Sequence, residues 1–168
     1  VMIRPEKPAD VEAIHSLTRE AFKDHPYSDG TEHFIVDRLR NAGALSLSLV
    51  AEVQGEVVGH VAFSPVEFSD GSAGWFGLGP VSVLPSQQGK GIGGALIRRG
   101  LEILRERRAA GCVVVGNPEL YRKFAFQNDP QITFADCAPQ YFLVQPLSST
   151  PASGIVTYNA AFYGGVDG

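Results

Sequence analysis

The sequence predicts a mixed α/β domain, and three observations carry that expectation. Segments with apolar residues at helical spacing alternate with β-rich runs in the order β-α-α-β-β-β-α-β-α-β. Two of the runs are separated only by Gln54-Gly55, the mark of a hairpin. A third run leads into Gln88-Gly89-Lys90-Gly91-Ile92-Gly93-Gly94 and then a long amphipathic segment. With 168 residues, 44% of them hydrophobic, the chain has enough apolar content to bury one core without disulfide staples.

Residues 2–4 form a first short strand. Val11, Ile14, Leu17, Ala21 and Phe22 then repeat at helical spacing behind Pro8, a residue the first turn of a helix tolerates. Residues 23–30, with Pro26, Asp29 and Gly30, read as a loop. Thr31 is the expected N-cap of a second helix that presents Phe34, Ile35 and Leu39 and stops near Gly43. Residues 47–53 and 56–63 make the hairpin, and Pro65 marks an end or bend. A turn at Ser69-Asp70-Gly71 precedes a third long strand over 75–84. Gly77, Gly79 and Pro80 inside that strand weaken its ladder, so a bulge or splayed edge is expected there.

The following helix spans 92–109, with Ile92, Leu96, Gly100, Ile103 and Leu104 inward and Arg98, Glu102, Arg105 and Arg108 mostly outward, and it ends at Gly111. A buried strand at 113–115, a brief helix at 118–123 and a strand at 142–144 complete residues 1–147. Ser148-Ser149-Thr150-Pro151 reads as a linker into an extension, 148–168, with one more strand over 155–158.

A net charge of −4 without a clustered basic face argues against nucleic acid as a partner. No apolar run approaches membrane-spanning length, and the first residues lack the apolar core of a signal peptide, so a cytoplasmic setting is expected. Cys112 and Cys137 fit neither a disulfide framework nor a CxxC site, and His15 and His25 lie at no metal-ligand spacing; no metal is expected.

The glycine loop carries the chemistry. Glycines let the backbone approach an anion, and the first turn of a helix has N–H groups with no internal partner, so together they bind phosphate; Lys90 adds a positive charge. A Walker loop does not fit, because Gly91 follows Lys90 where Ser or Thr is needed. The dinucleotide pattern GxGxxG is matched by Gly89, Gly91 and Gly94. Its context is missing: the next strand runs into Gly116-Asn117 without the expected acid, and too little chain follows for a six-stranded parallel sheet.

Gln88-Gly89-Lys90-Gly91-Ile92-Gly93 also fits Q/R-x-x-G-x-G/A, and with the strand Val81-Ser82-Val83-Leu84-Pro85 before it and Ala95-Leu96 after it the chain resembles the GNAT (Gcn5-related N-acetyltransferase) superfamily. The extension is similar to that of a bacterial subgroup of acetyltransferases. The resemblance implies a central, mostly antiparallel, splayed sheet flanked by helices, with acetyl-CoA as co-substrate. It implies that Gln88, Gly89, Lys90, Gly91, Ile92, Gly93 and Gly94 hold the pyrophosphate, and that Val81, Ser82 and Val83 line the pantetheine arm. Val81 and Val83 would do so by main-chain hydrogen bonds, and amides near Val83 would polarise the thioester carbonyl.

Leu120-Tyr121-Arg122-Lys123-Phe124-Ala125-Phe126 is similar to the family's Y-x-x-x-G-F element, which implies that Tyr121 protonates the departing thiolate. Ala125 stands where the family has glycine; if a positive φ is needed there, alanine strains it. Asn117 is read either as a coenzyme contact or as the cap of the short helix. A general base is harder to place, because no Asp, Glu or His lies between Gly71 and Gly89, where many relatives carry a glutamate. Glu32, His33, His60, Glu67 and Asp70 are the candidates. Trp75, Phe76 and Phe68 read as core aromatics and 105–108 as a solvated helix end.

The expected function is transfer of an acetyl group from acetyl-CoA to the amine of a small molecule or peptide, by direct attack in a ternary complex. Two alternatives stand beside it: a module that senses acyl-CoA without turnover, and a nucleotide-dependent oxidoreductase. A homodimer is left open.

Overall fold

The structure is a computed structural model and describes residues 1–26 and 28–164; Tyr27 in the first loop and the last four residues of the extension lie outside them. Strand β1 (Met2–Pro5) leads through a 3-10 turn at Pro8–Asp10 into α1 (Val11–Phe22) and α2 (Glu32–Asn41). The hairpin β2 (Leu47–Val53) and β3 (Glu56–Pro65) turns at Gln54 and Gly55, both at positive φ, as a two-residue hairpin with the right twist requires. Then come β4 (Glu67–Phe68), β5 (Trp75–Val83), α3 (Ile92–Glu106), β6 (Gly111–Val115), α4 (Pro118–Tyr121), β7 (Ile132–Thr133), β8 (Phe142–Pro146) and β9 (Gly154–Thr157).

Six strands form the main sheet in the order β1-β2-β3-β5-β6-β8. Every neighbouring pair is antiparallel except β5 with β6, and that pair is where the sheet divides. Pairing holds only from Trp75–Gly77 on β5 to Gly111–Val113 on β6. Beyond it β5 continues to Val83 beside β3, while Val114 and Val115 of β6 pair with Leu143 and Phe142 of β8. The expected bulge lies just past that point. Val61 faces Val81 and Phe63 faces Leu78, so Gly79 and Pro80 together oppose the single residue Ala62.

Side chains alternate across the sheet and so build two different faces. Leu47, Leu49, Ala51, Val61, Phe63 and Leu78 pack under α3 with Leu96, Ile97, Leu101 and Leu104. Ser48, Val50, His60, Ser64 and Ser82 point to the opposite face, where Ile14 and Val36 bring α1 and α2 onto Val50. Ile92, Leu96, Gly100 and Leu104 face inward along α3 as expected; Ile97 and Leu101 join them, and Ile103 is only partly buried. The helix ends at Glu106 rather than 109, and Gly111 opens β6, where its missing side chain makes room for the Trp75 ring. Thr31 does not cap α2 with its side chain; its hydroxyl donates to Asp29 Oδ1 at 2.6 Å.

A second, three-stranded sheet was not expected. β9, from the extension, lies between β4 and β7 and ties residues after 148 to two loops of the preceding domain. Asp70 reinforces it by accepting the Ser153 amide at 2.9 Å, and Arg38 of α2 donates to the Ala161 carbonyl at 2.9 Å. Among the described residues no helix is long and apolar enough to cross a membrane, and no cluster of three His, Cys, Asp or Glu side chains could hold a metal.

Candidate active site

The glycine loop lies where β5 hands over to α3. Gly91 is the N-cap at φ 81° and Gly89 has φ 78°, a region that costs an L side chain about 1–2 kcal/mol. A side chain at either would meet nothing within 4 Å, so the requirement is one of backbone angle, and the outer side of the loop is open. No backbone carbonyl engages the amides of Gly89 to Gly94 among the described residues; Ala95 is the first to bond, to Gly91 O at 3.0 Å. With no side-chain cap, these N–H groups and the positive end of a fifteen-residue helix converge on one exposed spot. That donor set fits a diphosphate.

The other loop residues divide by role. The Ile92 side chain is buried among the core residues, leaving only its amide for a ligand. Gly94 is closed in by Phe124 and Arg98, at 3.4 and 3.3 Å from a would-be side chain, so it seats the tyrosine element against α3. Gly93 has room, with only a Val83 methyl at 3.8 Å. Lys90 Nζ lies 3.3 Å from Gln87 Oε1 on the surface, and Gln88 Nε2 donates to the Val83 carbonyl at 3.0 Å, tying loop to strand.

Register decides which groups of β5 face the opening. The Leu84 amide bonds Val58 O at 2.9 Å, so alternation gives Ser82 and Leu84 their main-chain bonds to β3. The N–H and C=O of Val81 and Val83 therefore point the other way, into the gap left by β6. Ser82 departs from the expectation: its hydroxyl is buried on the α1 face, 3.3 Å from Thr18 Oγ1, so neither its side chain nor its main chain lines the gap.

Tyr121 is the last residue of α4, the short helix that follows β6, and is buried in the core under α3. Its ring packs edge-on against Phe126 and tilted on Phe124, centroids 5.9 and 6.4 Å away, and Gly116 must lack a side chain because the ring occupies that space. Burial pushes the Tyr121 phenol up to about 12, so it is protonated at any physiological pH. Ala125 keeps the turn at φ 70° despite its methyl group. Asn117 is a helix cap, with Oδ1 accepting the Glu119 amide at 2.9 Å.

The five candidate bases are differently engaged. Glu67 is exposed on β4. Asp70 accepts the Ser72 and Ser153 amides, and Glu32 accepts the Ser28 hydroxyl at 2.6 Å. His33 is buried against Phe34 and edge-on to His15, and His15 Nδ1 sits 2.8 Å from Asp37. His60, fully buried, lies 2.7 Å from the Ser48 hydroxyl, which donates to Glu6, itself paired with Arg40 at 2.9 Å. Burial lowers His60 to about 4, so it is neutral. Burial alone would raise Glu6, but hydrogen bonds from Arg40 and Ser48 outweigh it and hold the carboxyl below its ordinary range. Two site features escaped the sequence reading: Gly116, which sits unremarkably at a strand end, and Tyr158 of the extension, whose ring fills the space over Gly77 at 2.7 Å from a would-be side chain.

Comparison with known proteins agrees with this geometry. The acetyltransferase (GNAT) family matches residues 11–126. An Escherichia coli protein described as the uncharacterized N-acetyltransferase YhbS is 38% identical over 128 residues, 76% of this chain and 74% of its own. A GNAT family acetyltransferase from Brucella melitensis, solved in complex with acetyl-CoA, superposes with a TM-score of 0.86 at 47% identity, covering 96% of this chain and 97% of that one. YhbS from Escherichia coli, solved with CoA, gives a TM-score of 0.88 at 31% identity, with 96% and 91% covered. By the family match over residues 11–126 and the 38% identity to YhbS, the chain belongs to the acetyltransferase (GNAT) family.

Proposed function

We propose that this acetyltransferase moves an acetyl group from acetyl-CoA to the amine of a small molecule or peptide, by direct attack with both reactants bound. The observation that carries the reading is the row of unengaged amides from Gly89 to Gly94 at the end of a strand whose edge is open. Those amides and Lys90 hold the diphosphate. The main-chain groups of Val81 and the N–H of Val83 pair with the pantetheine arm, and an edge amide polarises the thioester carbonyl. Acetyl-CoA supplies the activated acyl group; the chain supplies position, which accounts for a large part of such accelerations.

Tyr121 holds the proton for the departing sulfur. A free thiol titrates near about 8.5, below the phenol's raised value, so transfer in water would be uphill. Inside the same apolar surroundings a thiolate is disfavoured too, which raises the proton's destination along with its source. No Asp or Glu lies along the chain between Gly71 and Gly89, so β5 offers no carboxylate and the amine arrives neutral or loses its proton to water.

Thiol release from acetyl-CoA, measured over a panel of primary amines, tests the reading. Turnover on at least one amine is expected, with Tyr121→Phe lowering kcat by about 10²-fold and leaving coenzyme affinity within about twofold. Tight coenzyme binding with no release on any amine would overturn it in favour of an acyl-CoA sensor.

A further inference from the structure

The extension places a second tyrosine at the point where the sheet divides. Gly77 is the last residue of β5 that pairs with β6. Tyr158 covers it, and the ring carbon next to the hydroxyl-bearing one is the nearest, 2.7 Å from a would-be Gly77 side chain against 3.3 Å for the carbon beyond. The hydroxyl half of the ring therefore lies over the start of the gap. The ring is fixed by Phe134 and Phe162, each with its centroid 5.0 Å away, and by β9 held between β4 and β7.

That hydroxyl is buried and has no hydrogen-bond partner among the described residues. Ser64, directly across the strands from Gly77 and on the same face, is fully buried and equally unpartnered at Oγ. Unsatisfied buried hydroxyls are costly, and two on residues that both neighbour Gly77 indicate a polar group that arrives from outside the chain. The path of such a group can be followed. An arm anchored by its diphosphate at Gly89 to Gly94 runs back along the open edge past Val83 and Val81, so its reactive end advances toward Gly77.

We infer that the Tyr158 hydroxyl is a hydrogen-bond donor to the acyl carbonyl of bound acetyl-CoA, facing the main-chain donor on β5 from the other side of the gap. The assignment rests on the coenzyme reading above. Burial drives the Tyr158 phenol well above its ordinary value, so it stays protonated and donates. Two preorganised donors in a water-excluded site are the arrangement that stabilises charge developing on a carbonyl oxygen. The extension is then part of the acyl site, because β9 and the turn after it carry the donor.

Calorimetric titration of the full chain with CoA and with acetyl-CoA tests the assignment. Tyr158→Phe keeps the ring over Gly77 and removes only the hydroxyl. The expected result is a roughly 3–10-fold loss of acetyl-CoA affinity with CoA affinity unchanged, and a melting midpoint equal to or above that of the parent. An unchanged ratio between the two ligands overturns the assignment. So does a lowered midpoint shared by Tyr158→Phe and Ser64→Ala with that ratio unchanged, the signature of a structural water bridging the two hydroxyls. If the parent binds both ligands and only the ratio fails to move, the coenzyme reading survives; if the parent binds neither, that reading falls and takes this one with it.

Discussion

The two faces of the main sheet are built on different principles. Under α3 the packing is apolar and close: Phe63 lies against Gly100, and Gly59 leaves space for Ile92 and Leu96, each 3.1 Å from where its side chain would be. On the α1 and α2 face the buried residues include Thr18, His33, Ser48, His60, Ser64 and Ser82. There His60 Nδ1 and Ser64 Oγ have no hydrogen-bond partner among the described residues. A dry, satisfied face suits a platform that holds the loop and Tyr121 rigidly. A face with buried, unpartnered polar groups has its stability tied to pH in a way the dry face has not.

The largest test of that contrast is the pH dependence of stability. Neutral in the fold above its lowered value of about 4, His60 takes up a proton in the unfolded chain below about pH 6.5. The unfolded state then binds more protons, so stability falls as pH drops from about 6.5 to about 4, by on the order of 3 kcal/mol. Urea unfolding across this window is expected to show that loss in the parent, and a flatter profile in His60→Gln. Equal slopes in the two proteins would mean the polar face is not what couples folding to pH. Glu6 acts lower: its depressed carboxyl adds stability that is lost only as pH falls through its folded value.

On the α3 face the effect is smaller and independent of pH. Gly100→Ala places a methyl group on the Phe63 ring, and the overpacking outweighs about 1 kcal/mol of gained helix propensity. A net loss of about 1–2 kcal/mol is expected at both pH 5 and pH 7.5; a loss confined to one of them would break the contrast. Ala125→Gly is expected to move the other way and least. It releases a left-handed strain of about 1–2 kcal/mol, offset in part by glycine's entropy in the unfolded chain, for a net gain of about 0.5–1 kcal/mol. A destabilised Ala125→Gly would show that the turn is not strained.

Local patterns carried much of this architecture in the sequence. The strand, glycine loop and helix around 81–96 are contiguous, and Gly77, Gly79 and Pro80 marked the place where β5 bulges and parts from β6. What stayed hidden depends on partners far along the chain. β4 and β7 are two residues each, too short for any periodicity, and exist because β9 docks between them. Tyr158 read as one more residue of a tail strand, since nothing local says its ring reaches Gly77. Ser82 read as gap-lining because it stands between Val81 and Val83, yet alternation along the strand turns it to the other face. Thr31 stands at the N-cap of α2 as its position suggested, but Asp29 claims its hydroxyl.

The account rests on backbone amides that Gly91 keeps exposed by holding φ at 81°. The most direct measurement is the affinity for CoA of the parent and of Gly91→Val, with the melting midpoint followed alongside. Open space around Gly91 limits the structural cost to strain of about 1–2 kcal/mol, a shift of roughly 2–8 °C. The expected result is a folded variant whose CoA affinity has fallen by about tenfold or more, the loss of about 1.4 kcal/mol of diphosphate contact. A folded Gly91→Val that binds CoA as the parent does would contradict the account.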